Sequence, residues 1–234
     1  MPLAVVTGAS RGLGRALTLA LAERGWSLVV DGRDPSTLAV ASDALHAAGA
    51  PAVHAVPGDV ADPAHRDRLV AAAQSAGDVD VLVNNASHLG PSPQPALADY
   101  PPAELQRVYA VNTLAPLALT QALLPQLLAA GGRVVNVTSD AAVEAYPGWG
   151  GYGSAKAALE QITAIMAVEQ PTLRVYAFDP GDMRTQMHQD AYPGEDISDR
   201  PEPGTVVPAL LRVVEGDLPS GRVRAADLND PVRA

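Results

Sequence analysis

The segment Thr7-Gly8-Ala9-Ser10-Arg11-Gly12-Leu13-Gly14 lies between the apolar run Leu3 to Thr7 and a stretch in which Leu13, Ala16, Leu17, Ala20 and Leu21 recur at helical spacing. The run reads as a buried strand, and Gly25 closes the helix that follows. Glycines at this junction let backbone amides approach an anion at the positive end of the helix. Gly8, Ser10, Arg11, Gly12, Leu13 and Gly14 therefore form a candidate cradle for the pyrophosphate of a dinucleotide.

The strand-helix unit repeats along the chain. Ser27 to Asp31 reads as a second strand, and Asp34-Pro35 opens a helix to about Ala48, because proline suits a first helical turn. A third strand is expected near Ala52 to Val56. Asp62-Pro63 caps a helix to about Ser75, and Asp80 to Val83 forms a fourth strand. The longest helical stretch runs from Ala103 to Ala130. Strand Arg133 to Val137, a helix from about Tyr152 to Glu169 and strand Leu173 to Phe178 follow. Such alternation argues for an α/β fold with a doubly wound parallel sheet. Residues 180–204 differ in character, with four prolines, three glycines and six acidic residues. Because they follow the carboxyl end of a strand, residues 182–205 are placed to act as a substrate lid. Val206 to Val214 then reads as a helix and Gly221 to Arg224 as a short edge strand.

The 234 residues suit a single domain spanning 1–234. A net charge of −10 disfavours nucleic acid and anionic membrane surfaces, so any phosphate site must be local. There is no cysteine for disulfides, thiolate catalysis or zinc. His46, His54, His65, His88 and His188 show no paired ligand spacing, so no metal site is expected and surface or loop positions are their default. The apolar stretch Leu114 to Ala130 contains Pro116, Thr120, Gln121, Pro125 and Gln126, too mixed for a bilayer span. With no signal-like start, a cytoplasmic location is expected.

Coenzyme choice depends on the end of the second strand, Val30-Asp31-Gly32-Arg33-Asp34. An acid there would bond a free ribose 2'-hydroxyl and repel a 2'-phosphate. Strand alternation turns Asp31 away and leaves Gly32 at the selective position, while Arg33 and Arg11 could clamp a 2'-phosphate. NADP(H) is therefore favoured over NAD(H), which remains the alternative if Asp31 points inward. Asp59, after the third strand, can accept from an adenine amino group. Asn84-Asn85-Ala86-Ser87 closes the fourth strand, where amides can tie strand ends together and small residues leave room for a cofactor.

Tyr152 and Lys156 are four residues apart, and Ser139 stands thirteen residues before Tyr152 at the end of an apolar run. At about 3.6 residues per turn, positions i and i+4 share a helix face. An ammonium there favours the phenolate and would draw a pKa of ~10 toward neutrality. The Ser139 hydroxyl could hold the same reacting oxygen. These three groups would form a proton donor, its tuner and an oxygen holder.

Thr7-Gly8-x-x-x-Gly12-x-Gly14, Asp59, Asn84-Asn85-Ala86, Asn112, Ser139, Tyr152-x-x-x-Lys156 and Pro180-Gly181-x-x-x-Thr185 together resemble the short-chain dehydrogenase/reductase (SDR) family, over nearly the whole chain. The resemblance implies a Rossmann-like domain with a seven-stranded sheet in the order 3-2-1-4-5-6-7 and reversible hydride transfer between a nicotinamide and a carbonyl or alcohol. It implies that Tyr152 donates the proton, Ser139 positions the carbonyl oxygen, Lys156 tunes Tyr152 and binds the nicotinamide ribose, and Asn112 completes a water-linked relay. Val60, Asn85, Ala86, Ser87, Pro180, Gly181, Met183 and Thr185 would adjoin the coenzyme. Ser87 replaces the usual glycine, and Asp182 and Met183 depart from the common pattern. His88, Leu89, Tyr146, Trp149 and Met187 are candidates for the substrate pocket. The resemblance further implies a homodimer or homotetramer acting on a small-molecule carbonyl or alcohol. An NAD-linked alcohol dehydrogenase and a non-catalytic NADP(H) sensor are the alternative readings.

Overall fold

The computed structural model describes residues 1–229, so residues 230–234 of the expected domain lie outside the described residues. Its strands are β1 (Leu3–Val6), β2 (Ser27–Gly32), β3 (Val53–Pro57), β4 (Val81–Asn84), β5 (Arg133–Val137), β6 (Arg174–Asp179) and β7 (Gly221–Arg224). All pair in parallel in the order β3-β2-β1-β4-β5-β6-β7. The helices are α1 (Gly12–Ala22), α2 (Pro35–Ala47), α3 (Pro63–Ala76), α4 (Pro102–Tyr109), α5 (Ala115–Ala130), α6 (Gly150–Glu169), α7 (Gln186–Ala191), α8 (Val207–Glu215) and α9 (Ala225–Asn229). Asp34 and Asp62 cap α2 and α3 by accepting from Thr37 and Ala64 N–H, each followed by proline as the sequence requires.

Alternation along each strand divides the core between the two faces of the sheet. Ala4, Val6, Leu28, Val30, Val81, Val83, Val135 and Tyr176 meet α1, α2 and α8 through residues such as Leu17, Leu38 and Leu210. Leu3, Val5, Val29, Leu82, Val134 and Val175 meet Leu69 of α3 and Leu119, Leu123 and Leu127 of α5. Between β4, β5 and α6 a buried polar chain crosses this second face. Asn84 Nδ2 donates to Asn136 Oδ1 (2.8 Å), and Asn136 Nδ2 donates to Thr163 Oγ1 (2.8 Å).

The expected helix from Ala103 to Ala130 is divided by a π-helical turn, Ala110–Leu114. Pro116 has no N–H to offer the Asn112 carbonyl, so the α register cannot run unbroken there. Downstream, α5 continues through Pro125, whose exposed position leaves the Gln121 carbonyl to water. By length and composition alone the longer segment Pro102–Ala130 could cross a membrane. Here its Leu119, Leu123 and Leu127 are spent on the sheet.

Close approach of α1 to the first turn depends on Gly14. A Cβ there would stand 2.5 Å from both Asn85 Nδ2 and the Gly8 carbonyl oxygen. Gly14→Ala is expected to destabilise the fold by about 1–3 kcal/mol, read as a lower urea midpoint. An unchanged midpoint would show that the helix start has room to spare.

Candidate active site

The carboxyl ends of the strands open into one cavity of about 830 Å³. Its lining runs from Arg11, Arg33 and Asp59 through Ala86 and Ser87 to Ser139, Tyr152 and Lys156, and on to Trp149 and Met187. Open parallel sheets bind ligands there because helix N-termini and loops converge beyond the strand ends.

Two side chains shape the glycine-rich turn. Asn85 Nδ2 donates to the carbonyls of Thr7 (2.9 Å) and Gly8 (3.1 Å), while Thr7 Oγ1 accepts from Asn85 and Ala86 N–H, both at 3.0 Å. Gly8 (φ +66°) and Gly12 (φ +58°) occupy left-handed backbone that other residues reach only under strain. Gly14, expected in the cradle itself, does not border the cavity and serves instead the helix contact described above. Ser10, Arg11, Gly12 and Leu13 do border it.

Asp31 turns beneath this turn. Its Oδ1 accepts from Gly8 N–H (2.6 Å), and its Oδ2 lies 3.0 Å from His65 Nε2. Burial raises the Asp31 carboxyl above its usual range, opposed by His65 and the Gly8 N–H. His65 is fully buried, not the surface or loop histidine expected. Its ring occupies the space that a side chain at Gly58 would need. Nothing in the spacing of Asp31 and His65 announced the pair, because they meet only through the β2-β3-α3 layout. With both oxygens engaged, Asp31 is not presented as a free ribose acceptor. Gly32 borders the cavity against Ser10, whose Oγ would stand 2.9 Å from a Cβ there, and exposed Arg33 follows at the rim.

Asp59 is committed to the protein itself. Oδ1 accepts from Ala61 N–H (2.9 Å), and Oδ2 is paired with Arg107 of α4. Burial would raise its carboxyl, but the Ala61 N–H and Arg107 outweigh it and hold the group below the usual carboxylate range. Arg107 carried no sequence signal, since the contact is long-range. Val60 and Asn85 also border the cavity.

At the other end, Lys156 is 2% exposed and its Nζ donates to the Val137 carbonyl at 2.7 Å. Nζ stands 5.5 Å from the Tyr152 ring centre. Burial pushes Lys156 down to about 7. It also pushes the Tyr152 phenol up to about 12, with Asp140 and Asp179 adding to the rise against the pull of the Ser87 hydroxyl. The expectation that Lys156 draws the phenol toward neutrality is thus reversed in the protein alone, because loss of water penalises both charged forms. Ser139 Oγ donates to Asp140 Oδ1 (2.8 Å).

Asn112 has no exposure to the cavity. Its Oδ1 accepts from His88 N–H (2.8 Å) and Ser87 Oγ (3.2 Å), and its Nδ2 donates to the His88 carbonyl (2.8 Å). The side chain therefore holds the loop after β4.

Leu89, Trp149 and Met187 gather around Tyr152 with Ala141 and Ala191. His88 borders the cavity, with its pKa lowered by burial and by Arg107 and Arg33. Tyr146 does not border it. Its hydroxyl turns to Asp140 Oδ2 (3.0 Å) and Glu144 Oε2 (2.8 Å). His188, assigned to the surface by default, lines the cavity from α7, its ring centre 5.0 Å from that of Tyr192. Pro180, Gly181, Met183 and Thr185 line the same wall. Thr185 Oγ1 also caps α7 by accepting from His188 N–H (3.2 Å), and Met183 packs against the core.

Comparison with known proteins agrees with this geometry. A family model described as short chain dehydrogenase matches residues 2–196. An uncharacterized oxidoreductase from Mycobacterium tuberculosis is 36% identical over 187 residues, covering 78% of this chain and 70% of the relative. A Pseudomonas syringae structure described as a short chain dehydrogenase superposes with a TM-score of 0.90 at 30% identity, covering 96% of this chain and 94% of that one. An alcohol dehydrogenase from the archaeon Thermococcus sibiricus complexed with 5-hydroxy-NADP gives a TM-score of 0.84 at 28% identity, covering 96% and 95%. A strand-end cavity that holds a serine, a tyrosine and a buried lysine thus has a family to go with it: the chain belongs to the short-chain dehydrogenases and is an oxidoreductase of that family.

Proposed function

We propose that the protein is an NADP(H)-dependent carbonyl reductase, working in reverse as an alcohol dehydrogenase, with Tyr152 as its acid and base. The observation that carries this reading is the single cavity joining an arginine-bordered rim to the Ser139, Tyr152 and Lys156 cluster. The glycine turn and the small residues Ala86 and Ser87 fit a dinucleotide laid across the strand ends. Gly32 in place of an acid, the engagement of Asp31 by Gly8 and His65, and exposed Arg33 favour a coenzyme carrying a 2'-phosphate.

When bound, the nicotinamide supplies or accepts the hydride. The remaining tasks fall to side chains of this chain. Tyr152 holds its proton firmly and is placed to give it to a carbonyl oxygen as negative charge develops there. Ser139 Oγ, turning from Asp140, donates to that same oxygen. Lys156 would hold the ribose and recharge Tyr152, while Asn112 fixes the loop that carries Ser87 and His88. Leu89, Trp149, Met187 and Ala191 offer the carbonyl's substituents an apolar wall and exclude water. Residues 182–205, with α7, serve as the lid.

Tyr152→Phe is expected to lower turnover of a reactive ketone by about 10²–10⁴-fold while NADPH binding, followed by nicotinamide fluorescence, is kept. Near-normal turnover would sink the acid assignment. Arg33→Ala should weaken NADPH by about tenfold or more through loss of a charge-assisted contact and leave NADH almost unchanged, as measured by titrating both coenzymes. Equal loss for the two would remove Arg33 from phosphate recognition.

Lys156 also ties stability to pH. The unfolded chain keeps its lysine proton up to the usual 10.5, whereas the folded chain releases it near about 7. The unfolded state therefore binds more protons between these values, and this group's contribution to stability rises with pH across that window. Lys156→Met should accordingly raise the Tm of the coenzyme-free protein most at pH 7 and below, with the gain shrinking toward pH 10. A gain independent of pH would contradict the burial of a titrating amine.

A further inference from the structure

β7 ends the sheet, yet one of its side chains reaches back across two strand ends. Arg222 Nη2 donates to Asp179 Oδ2 (2.8 Å) at the end of β6 and to the Ser139 carbonyl (3.4 Å) after β5, while Nε donates to Glu160 Oε1 (3.0 Å) on α6. Each acceptor adjoins a working part of the cavity. Ser139 lines the cavity together with Tyr152. Asp179 uses its other oxygen to accept from Gly181 N–H (3.0 Å), which fixes the turn at Pro180. Glu160 lies one helical turn beyond Lys156 and also accepts from Thr138 Oγ1 (2.7 Å).

Exposed ion pairs contribute little, but this one is half in the core, since the Asp179 side chain is 4% exposed and that of Glu160 16%. A carboxylate so buried requires a partner, and removal of one member costs more than the absence of both. The planar guanidinium can serve three acceptors in different directions, which an ammonium point charge cannot hold as firmly.

We propose that Arg222 is a positioning residue for catalysis, locking the Ser139 strand end, the Pro180-Gly181 turn and α6 into one arrangement and neutralising Asp179 beside the reacting phenol. The groups around Tyr152 are Lys156 on its own helix, Asp140 after β5, Asp179 from β6 and Ser87 after β4. Of the two carboxylates, Asp179 is the one paired with Arg222. Without Arg222, its charge would act unopposed on the phenol and loosen the turn above it. The inference rests on the reductase reading of the same site.

The test compares Arg222→Met, Arg222→Lys and the double variant Asp179→Asn/Arg222→Met. Arg222→Met should lower kcat by about tenfold or more, as misplacement near the chemistry does, with a smaller change in the KM for NADPH. It should also move the ascending limb of the alcohol-oxidation pH profile, where Tyr152 loses its proton, to higher pH. Arg222→Lys should fall between wild type and Arg222→Met. The double variant, which removes both charges, should recover most of kcat and return the limb toward wild type. An unchanged kcat and pH profile in Arg222→Met, or a double variant no better than the single, overturns the proposal. Thermal unfolding of the coenzyme-free proteins reads the same coupling without any turnover. Tm should drop in Arg222→Met and return in the double variant, and equal Tm values in the two reject the coupling. Failure of wild type to reduce any carbonyl with NADPH would instead count against the reductase reading, leaving the Tm comparison to decide on Arg222.

Discussion

The lysine amine held inside the fold by one backbone carbonyl sets the terms for the rest of the site. Lys156 Nζ reaches the Val137 oxygen at 2.7 Å only because α6 lies close against the end of β5. That approach demands small residues on the inner face of the helix. A Cβ on Gly153 would stand 2.5 Å from the Ala141 carbonyl oxygen, and one on Gly151 would enter the Tyr100 ring. The Asn84-Asn136-Thr163 chain then aligns the same helix with β4 and β5 by directed bonds, as apolar packing alone would not. Glycines that look like a helix-breaking cluster in the sequence are what let α6 lie against the turn after β5 and against Tyr100.

Several of these elements are legible in the sequence. Asp34-Pro35 and Asp62-Pro63 gave their helix starts because capping is local, and β7 was readable at Gly221 to Arg224. Of the four side chains proposed from spacing and resemblance, Ser139, Tyr152 and Lys156 line the cavity, while Asn112 is buried behind the loop after β4. What escaped was set by long-range meetings. The partners of Asp31, Asp59 and Asp179 are His65, Arg107 and Arg222, separated from them by 34, 48 and 43 positions. No local period encodes such pairs. Tyr146, expected in the substrate pocket, does not line it for a related reason: the loop conformation brings its hydroxyl to Asp140 and Glu144. The π turn was hidden because helical periodicity on both sides of Asn112 masks a single extra residue.

The error about the phenol has a different origin. At sequence level an i, i+4 lysine is a cation beside a tyrosine, and the sign of its effect follows from Coulomb attraction. In the fold, both groups are stripped of water, and desolvation is the larger influence on each. Lys156 near about 7 is only partly charged at neutral pH, so it cannot be assumed to supply a full unit of positive potential. The acidic neighbours Asp140 and Asp179 press in the same direction by favouring the neutral phenol.

This electrostatic balance bears on direction. A phenol held near about 12 keeps its proton across the physiological range, which prepares Tyr152 to act as a donor but makes it a reluctant base. In the proposed reaction, reduction begins from the protonation state that the folded chain already favours, whereas alcohol oxidation must first remove that proton. Positive charge delivered close to Tyr152 would offset Asp140 and Asp179 and narrow the difference. The pairing of Asp179 with Arg222 already offsets one of these two carboxylates, so beyond burial, the larger influence, the acidic contribution falls to Asp140. Asp140 is also the acceptor for Ser139 Oγ. In the proposed reaction one carboxylate therefore both adds to the hold of burial on the donor's proton and keeps the second hydroxyl until a better acceptor, a developing oxyanion, arrives.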